Sequence, residues 1–509
     1  MKVRSINDLD RIKLSYLEEL SAFSHRVLVC AGAGCVSSNC GLVGDAVVEE
    51  LEELGLAKNV KVYETGCMGT CSVGPVMIIQ PQNTFYTELT PDIAKEIIRS
   101  HVRDGLILDK YTFYDEASSS HIPDVDDIPF FREQVRIALR NCGAIDYKSI
   151  EAYIAKDGYF AAAKVFAQMS SQDVVDEVKA SGLRGRGGAG FPTGIKWQAG
   201  LDAPKGQKYL VCNADEGDPG AFMDRSIIEG DPHTLIEGMI IGAYAIGASE
   251  GYVYVRAEYP IAIERLSIAL EQAREYGLLG KKLFESEFQF NIEIRIGAGA
   301  FVCGEETALL ASIEGKRGEP QQKPPFPFQK GLYGKPTIIN NVETFAAIAP
   351  IILKGSRWHA SLGTEKSKGT KVFALAGDIV NAGIVEVPIG IPLGEIIYKI
   401  GGGILDKKRF RSAQIGGPSG GCVTQDNLNT PTDYESLTDL GAIMGSGGLI
   451  VMDEDTCMVD TARYFMDFIQ EESCGKCLAC RVGTKRMLEI LERITRGEGC
   501  EGDIELLEE

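Results

Sequence analysis

Nine of the fourteen cysteines fall in two clusters, at 30–71 and 474–500. In the first, Cys30-x4-Cys35 and Cys67-x3-Cys71 put two thiol pairs on two loops, each after a strand-like run. Two thiolates per iron is what a two-iron cluster takes. Glycines at 32, 34, 66 and 69 let both loops wrap a metal and aim N–H groups at its sulfurs. Structural zinc is the competing occupant, although its pairs more often read C-x2–4-C in small finger-like folds. In the second cluster, Cys474-Gly-Lys-Cys477-Leu-Ala-Cys480 gives C-x2-C-x2-C at a helix start. That spacing fits three corners of a four-iron cubane better than a zinc tetrahedron, and Lys476 and Arg481 would offset the cluster's negative charge. Cys40 fits neither pair. The scattered Cys142, Cys212, Cys303, Cys422 and Cys457 read as small buried hydrophobes.

A different chemistry is written between 181 and 197, in Ser-Gly-Leu-Arg-Gly-Arg-Gly-Gly-Ala-Gly-Phe-Pro-Thr-Gly-Ile-Lys-Trp. Gly185, Gly187 and Gly190 match G-x-G-x-x-G, but Val174–Ala180 before them reads as helix, the wrong context for a dinucleotide-binding turn. What remains is an anion site: exposed backbone N–H groups with Arg184, Arg186 and Lys196 nearby, suited to a phosphate-bearing cofactor. Three further loops follow apolar runs: Asn213-Ala-Asp-Glu-Gly-Asp-Pro-Gly, Gly304-Glu-Glu-Thr307 and Asn340-Asn-Val-Glu-Thr344. Their amides and carboxylates suit hydrogen bonds to ribityl hydroxyls and the polar edge of a flavin.

These loops need scaffolds. The 509 residues suggest about three or four domains. Residues 8–23 carry a helical stripe, and a β-α-β-β-α unit follows to about 102. Residues 110–130 lose periodicity and read as a linker. Strands then alternate with helices to about 350, a glycine-rich β stretch opens at Thr370, and the pattern after Asp453 is helical. Lys+Arg 52 against Asp+Glu 72 gives a net charge of −20, which repels nucleic acid and anionic lipid. The apolar runs are too short to span a bilayer, and the N-terminus has no signal-like apolar segment, so a cytoplasmic protein with reduced thiols is expected.

Residues 25–105 look like a thioredoxin-like 2Fe–2S ferredoxin. The glycine-rich loop, the three polar loops and the second cysteine motif closely resemble the NADH-binding flavoprotein subunit of respiratory complex I, NAD-linked hydrogenases and formate dehydrogenases. The resemblance implies an α/β multidomain chain: a thioredoxin-like 2Fe–2S domain at 1–110, a linker at 111–130, an FMN/NADH-binding domain at 131–360, a β-grasp domain at 361–450, and a helical 4Fe–4S domain at 451–509. The β-grasp domain is expected to be a structural insert. The implied cofactors are FMN, NAD(H), a 2Fe–2S cluster on Cys30, Cys35, Cys67 and Cys71, and a 4Fe–4S cluster on Cys474, Cys477 and Cys480. FMN would contact Gly185, Arg186, Gly187, Gly188, Lys196, Asn213, Asp215, Glu216, Gly304, Asn340, Asn341 and Thr344. NADH would use Phe191, Glu305, Glu306, Lys323 and Phe326, with Glu216, Glu305 and Glu306 orienting it or tuning the ring. The acidic loops favour NAD over NADP. The family's fourth cubane ligand lies farther downstream, so either Cys500 substitutes or the sequence stops short of it; the unfinished helical pattern at 503–509 favours the second.

A flavin beside iron–sulfur clusters splits a hydride's electron pair, which implies an NADH:acceptor oxidoreductase. Fusion of the 2Fe–2S module to the flavin core resembles most the β subunit of electron-bifurcating, NAD-linked iron hydrogenases. The partners implied are an iron–sulfur hydrogenase catalytic subunit, a small thioredoxin-like 2Fe–2S subunit and ferredoxin. Alternatives are a complex I or formate dehydrogenase subunit, and a non-catalytic electron wire with a degenerate flavin site.

Overall fold

The computed structural model describes residues 2–508. The first module is a four-stranded sheet, β1 His25–Cys30, β2 Val60–Thr65, β3 Met77–Gln80 and β4 Thr84–Tyr86, in the order β2-β1-β3-β4. β1 runs parallel to β2 and antiparallel to β3. Alternation along β1 decides its packing. Val27 and Val29 join Val43, Val47 and Leu51 of the helix Cys40–Glu53, whereas Leu28 and Cys30 join a core shared with Phe373 and Val385 far along the chain. The sheet is therefore covered on both faces, and its second face is a contact with the β-grasp module.

Residues 110–130 are ordered where a linker is expected. β5 Phe113–Asp115 pairs with β6 Ser120–Ile122, and Phe113, Ile128 and Phe130 are buried. Three anchors spread over eighteen residues leave no period to detect, yet they pin the segment to the ferredoxin sheet through the bond from Phe85 N–H to the Pro123 carbonyl at 2.8 Å.

The central sheet comprises β7 Tyr209–Ala214, β8 Glu250–Arg256, β9 Gly280–Lys281, β10 Gln289–Gly297 and β11 Thr337–Asn341, in the order β11-β7-β8-β10-β9. All pairings are parallel except that of the short edge strand β9. Parallel strands are covered on both sides, which is why β7, β8 and β11 are almost continuously buried and the helix Pro232–Ile246 is buried nearly all round. The third sheet, β12 Thr370–Gly377, β13 Gly383–Pro388, β14 Phe410–Ile415, β15 Gly421–Thr424 and β16 Gly448–Asp453, has the order β13-β12-β16-β14-β15. The chain ends in the helices Met458–Glu471, Thr484–Thr495 and Asp503–Glu508. Among the described residues no helix is long and apolar enough to cross a membrane.

Candidate functional site

The polar loops meet at the carboxyl ends of the parallel strands, where open α/β sheets bind ligands. Asn341 of β11 pairs in register with Asn213 of β7, so two side-chain amides sit side by side at the sheet's rim. They line a cavity of about 520 Å³ with Gly187, Asp215, Glu216, Gly304 and Glu305. A second cavity of about 720 Å³ opens beside it and shares Gly187, Asp218, Phe301, Ser419 and Ser446. This volume suits a nucleotide-sized cofactor. Both carboxylate oxygens of Asp215 are buried without a partner in the chain, as is Oδ1 of Asp224. Burial pushes Asp215 up to about 7, against the pull of the Arg256 guanidinium. Orphaned buried acceptors beside a cavity are what a missing hydrogen-bonding ligand leaves behind, and the residues present fit FMN.

Many of the expected contact residues are engaged with one another. Asn213 donates to the Gly304 carbonyl at 2.8 Å, and Trp197 donates to Asn340 at 2.8 Å. Thr344 accepts the Arg186 N–H at 2.9 Å. The three cations of the glycine-rich loop are also committed. Arg186 is buried and donates to the carbonyls of Arg184 and Lys368, Arg184 pairs with Glu435 at 2.6 Å, and Lys196 donates to the Ile339 carbonyl at 3.0 Å. Burial holds Lys196 below the ordinary lysine range, with Glu306 4.0 Å away opposing it. The arginines thus brace the glycine-rich loop, with Arg184 lining the second cavity and Gly187 reaching both cavities as backbone.

Glu216 is likewise a brace. It accepts from the N–H groups of Asp224 and Arg225, at 3.0 and 3.1 Å, so it caps the helix Met223–Gly230, and burial pushes its carboxyl up. Glu305 caps the helix Glu306–Ile313 through the N–H groups of Thr307 and Ala308. Glu306 binds Lys323 at 2.7 Å. Burial opposes the charge of Lys323, but its bonds to Glu306 and Glu305 hold it above the usual lysine range. Phe191 and Phe326 are about half exposed, and Phe326 stacks on Phe328 with ring centroids 5.6 Å apart. These two rings, with Lys196, Glu306 and Lys323, do not line the two cavities.

Cys474, Cys477 and Cys480 line the same cavity as Asp215 and Gly304. Their loop is clamped there: Glu472 accepts the Phe301 N–H at 2.8 Å, Arg317 donates to the Cys474 carbonyl at 2.8 Å, and Lys476 donates to the Pro320 carbonyl at 2.5 Å. Lys476 and Arg481 are held by carbonyls, Arg481 by Gly475 at 3.3 Å. Cys500 is exposed, beyond the helix Thr484–Thr495, with its thiol 3.7 Å from the Glu498 carbonyl.

The four N-terminal thiols converge on one another. Cys67 and Cys71 have their sulfurs 4.0 Å apart, and Cys30 is held well below the usual thiol range by bonds from Cys35 and Cys67. A Cβ on Gly32 would lie 2.7 Å from Cys67 Cβ, so glycine is required where the two ligand loops touch. Thiols from two loops, two on each, fit a two-iron cluster. The ligand loops pack on the helix Met223–Gly230. A Cβ on Gly66 would lie 2.0 Å from Gly230 Cα, and Glu229 accepts the Ala33 N–H at 3.1 Å. One helix of eight residues, about 12 Å long, thus begins at the cavity and ends at the first thiol cluster.

Some features escaped the sequence. Ser446, from the β-grasp module, donates to Asp218 at 2.6 Å, and Tyr434 donates to the Gly185 carbonyl at 2.9 Å. The β-grasp module therefore walls the cavity, correcting its reading as a structural insert. Cys422 and Cys457 are exposed, which corrects their assignment as buried thiols, whereas Cys142, Cys212 and Cys303 are buried. Arg256, with Nη1 unpartnered beneath the Gly217 backbone, lay in a strand with no motif.

Comparison with known proteins agrees with this layout. Residues 19–101 match the thioredoxin-like [2Fe-2S] ferredoxin family, 178–350 the Nuo51 FMN-binding domain, 372–423 the SLBB domain, and 460–509 the NADH-ubiquinone oxidoreductase-F iron-sulfur binding region. The chain is 60% identical over 376 residues (74% of it and 76% of the relative) to the NADP-reducing hydrogenase subunit HndC of Solidesulfovibrio fructosivorans. It is 46% identical over 372 residues (73% and 88%) to an NADH-quinone oxidoreductase subunit of Rhizobium meliloti. The NAD+-reducing [NiFe]-hydrogenase in its H2-reduced state superposes with a TM-score of 0.65 and 28% identity, over 95% of this chain and 78% of that one. The chain belongs to the family of FMN-binding, iron–sulfur flavoprotein subunits shared by NADH-quinone oxidoreductases and NAD(P)-linked hydrogenases.

Proposed function

We propose that this chain is the NADH-oxidising flavoprotein subunit of an NAD-linked, multi-subunit hydrogenase. The observation that carries the proposal is the shared cavity. Residues suited to a flavin, Asn213, Asp215, Gly304 and Asn341, face the same space as Cys474, Cys477 and Cys480. When bound there, FMN supplies the conversion of a hydride's electron pair into single electrons. Gly185, Gly187 and Gly188 bring backbone close to it, and Asn340, Asn341 and Thr344 fix the loop opposite. Glu305, Glu306, Lys323, Phe191 and Phe326 form the rim that would receive and orient NADH; Glu216 keeps the loop Asp215–Asp218 in place. Cys474, Cys477 and Cys480 hold the 4Fe–4S cluster, with the fourth ligand outside this triad. Cys30, Cys35, Cys67 and Cys71 hold the 2Fe–2S cluster.

A hydrogenase setting is favoured over a quinone-reducing one because the superposition with the NAD+-reducing hydrogenase spans 95% of the chain. Its partners are then an iron–sulfur hydrogenase catalytic subunit and a small thioredoxin-like 2Fe–2S subunit. The C-terminal thiols line the flavin cavity and the N-terminal thiols lie at the far end of the helix Met223–Gly230, and two such exits suit an electron-bifurcating assembly with ferredoxin as a further partner. The test is anaerobic co-purification from the native source followed by NADH-dependent dye reduction. Recovery of a hydrogenase subunit with dye-reducing activity supports the reading; flavin-free protein inert toward NADH contradicts it.

A further inference from the structure

Behind the cavity wall at Asn341, three carboxylates and one ammonium are buried together. Asp224 is 3% exposed and lines the cavity; Oδ2 accepts from the Asn341 side-chain amide, and Oδ1 has no partner in the chain. Its backbone N–H donates to Glu216 at 3.0 Å. Glu343, from the helix Val342–Ala346, accepts the Val372 N–H at 2.9 Å and the ammonium of Lys371, which reaches in from β12 fully buried.

Of the neighbouring cations, Arg225 stacks over Tyr259 at 5.2 Å and faces Glu229 at 3.8 Å, its Nε without a hydrogen-bond partner, and Arg186 is bound by two carbonyls. Glu216 is satisfied by two N–H groups and the Tyr259 hydroxyl, and Glu343 by Lys371 and Val372. Asp224 is left with an oxygen that has nothing to accept, in a cluster that already holds more negative than positive charge. Ionising all three carboxylates there is costly, and buried like charges resolve by keeping a proton.

We propose that Asp224 is a neutral acid of this site, whose Oδ1–H donates a hydrogen bond to the cofactor in the cavity. The inference rests on the flavin reading above. Burial and the neighbouring Glu216 and Glu343 push Asp224 well above the carboxylate range, consistent with a protonated form at neutral pH.

The test uses full-length protein stripped of flavin and titrated with FMN by fluorescence quenching. Wild-type protein that folds but binds no FMN would overturn the flavin reading, and this inference with it, before any variant is made. Asp224→Asn keeps a donor of the same shape, so its FMN affinity should stay within about twofold of wild type at neutral pH, while Asp224→Ala should bind about tenfold more weakly. Wild-type affinity should fall as the pH rises and Asp224 ionises, and that fall should be absent in Asp224→Asn. An asparagine variant as weak as the alanine variant, or one that loses FMN in parallel with wild type, overturns the inference. If Asp224→Asn fails to fold, infrared spectra of 13C-aspartate-labelled protein decide. An un-ionised aspartic acid band at neutral pH that survives in Asp215→Asn supports the inference, and its absence overturns it.

Discussion

Glu472 accepts the backbone N–H of Phe301 at 2.8 Å, joining residues 171 apart in sequence. Phe301 opens the turn Phe301–Gly304 at the cavity's edge, and Glu472 lies two residues before Cys474. The bond therefore fixes the C-terminal thiol loop against the flavin cavity. Glu472→Ala should leave NADH reduction of the flavin intact and slow electron arrival at the C-terminal cluster by about tenfold. Stopped-flow absorbance at the flavin band, with freeze-quench paramagnetic resonance of the cluster, separates the two steps.

The contact between Gly66 and Gly230 has no room for a methyl group, since a Cβ would meet Gly230 Cα at 2.0 Å. Gly66→Ala should separate the ferredoxin loop from the helix Met223–Gly230 and destabilise the protein by about 1–3 kcal/mol. Thermal unfolding should reveal this together with partial loss of the 2Fe–2S visible spectrum. The flavin content should be unchanged, because the helix's other end is capped separately by Glu216.

Asp215 provides a stability signature with a definite sign. Burial raises its folded-state value to about 7, above its unfolded value of about 4. The folded chain thus holds the proton more tightly, and the benefit, present below about pH 4, is lost as the pH rises to about 7. In flavin-free protein, Asp215→Asn should therefore be more stable than wild type at about pH 8, by on the order of 4 kcal/mol, and the gap should narrow toward pH 5. Denaturant titrations at the two pH values check this.

Tyr434 tests whether the β-grasp module shapes the flavin site. Its hydroxyl donates to the Gly185 carbonyl at 2.9 Å, and the Arg184 guanidinium lies 4.2 Å above its ring. Tyr434→Phe removes the bond and keeps the stack, so FMN affinity should fall by about 3- to 10-fold, matching a loss of about 1 kcal/mol. Fluorescence titration of flavin-free protein reads this directly.

How much of this was legible in the sequence depends on how locally each feature is encoded. The two thiol sets and the glycine-rich loop announce themselves because metal and phosphate chemistry demand fixed residue types at short spacings. The first module's alternation of strands and helices was visible in periodicity, but the expected β-α-β-β-α order is one strand short of the β-α-β-β-β-α that the structure has. Long-range pairings left no trace: Ser446 reaches Asp218 across 228 residues, and Lys371 reaches Glu343 from another sheet. The hairpin at 113–122 hid because its anchors are sparse. The linear motif also does not show how Arg186, Glu216 and Glu305 are held, since the structure ties the charged group of each to backbone N–H or carbonyl groups. Cys457 shows the same gap, since nothing near it in sequence marks a helix start open to solvent.

The central claim is that one cavity joins a flavin reduced by NADH to the thiols of the C-terminal cluster. Anaerobic addition of NADH to cofactor-loaded full-length protein tests it most directly, with flavin absorbance and cluster paramagnetic resonance followed together. The account predicts that the yellow band bleaches, that a reduced 4Fe–4S signal follows, and that Cys477→Ser abolishes the signal but not the bleaching. Flavin that stays oxidised, or a cluster signal that persists in Cys477→Ser, would contradict it.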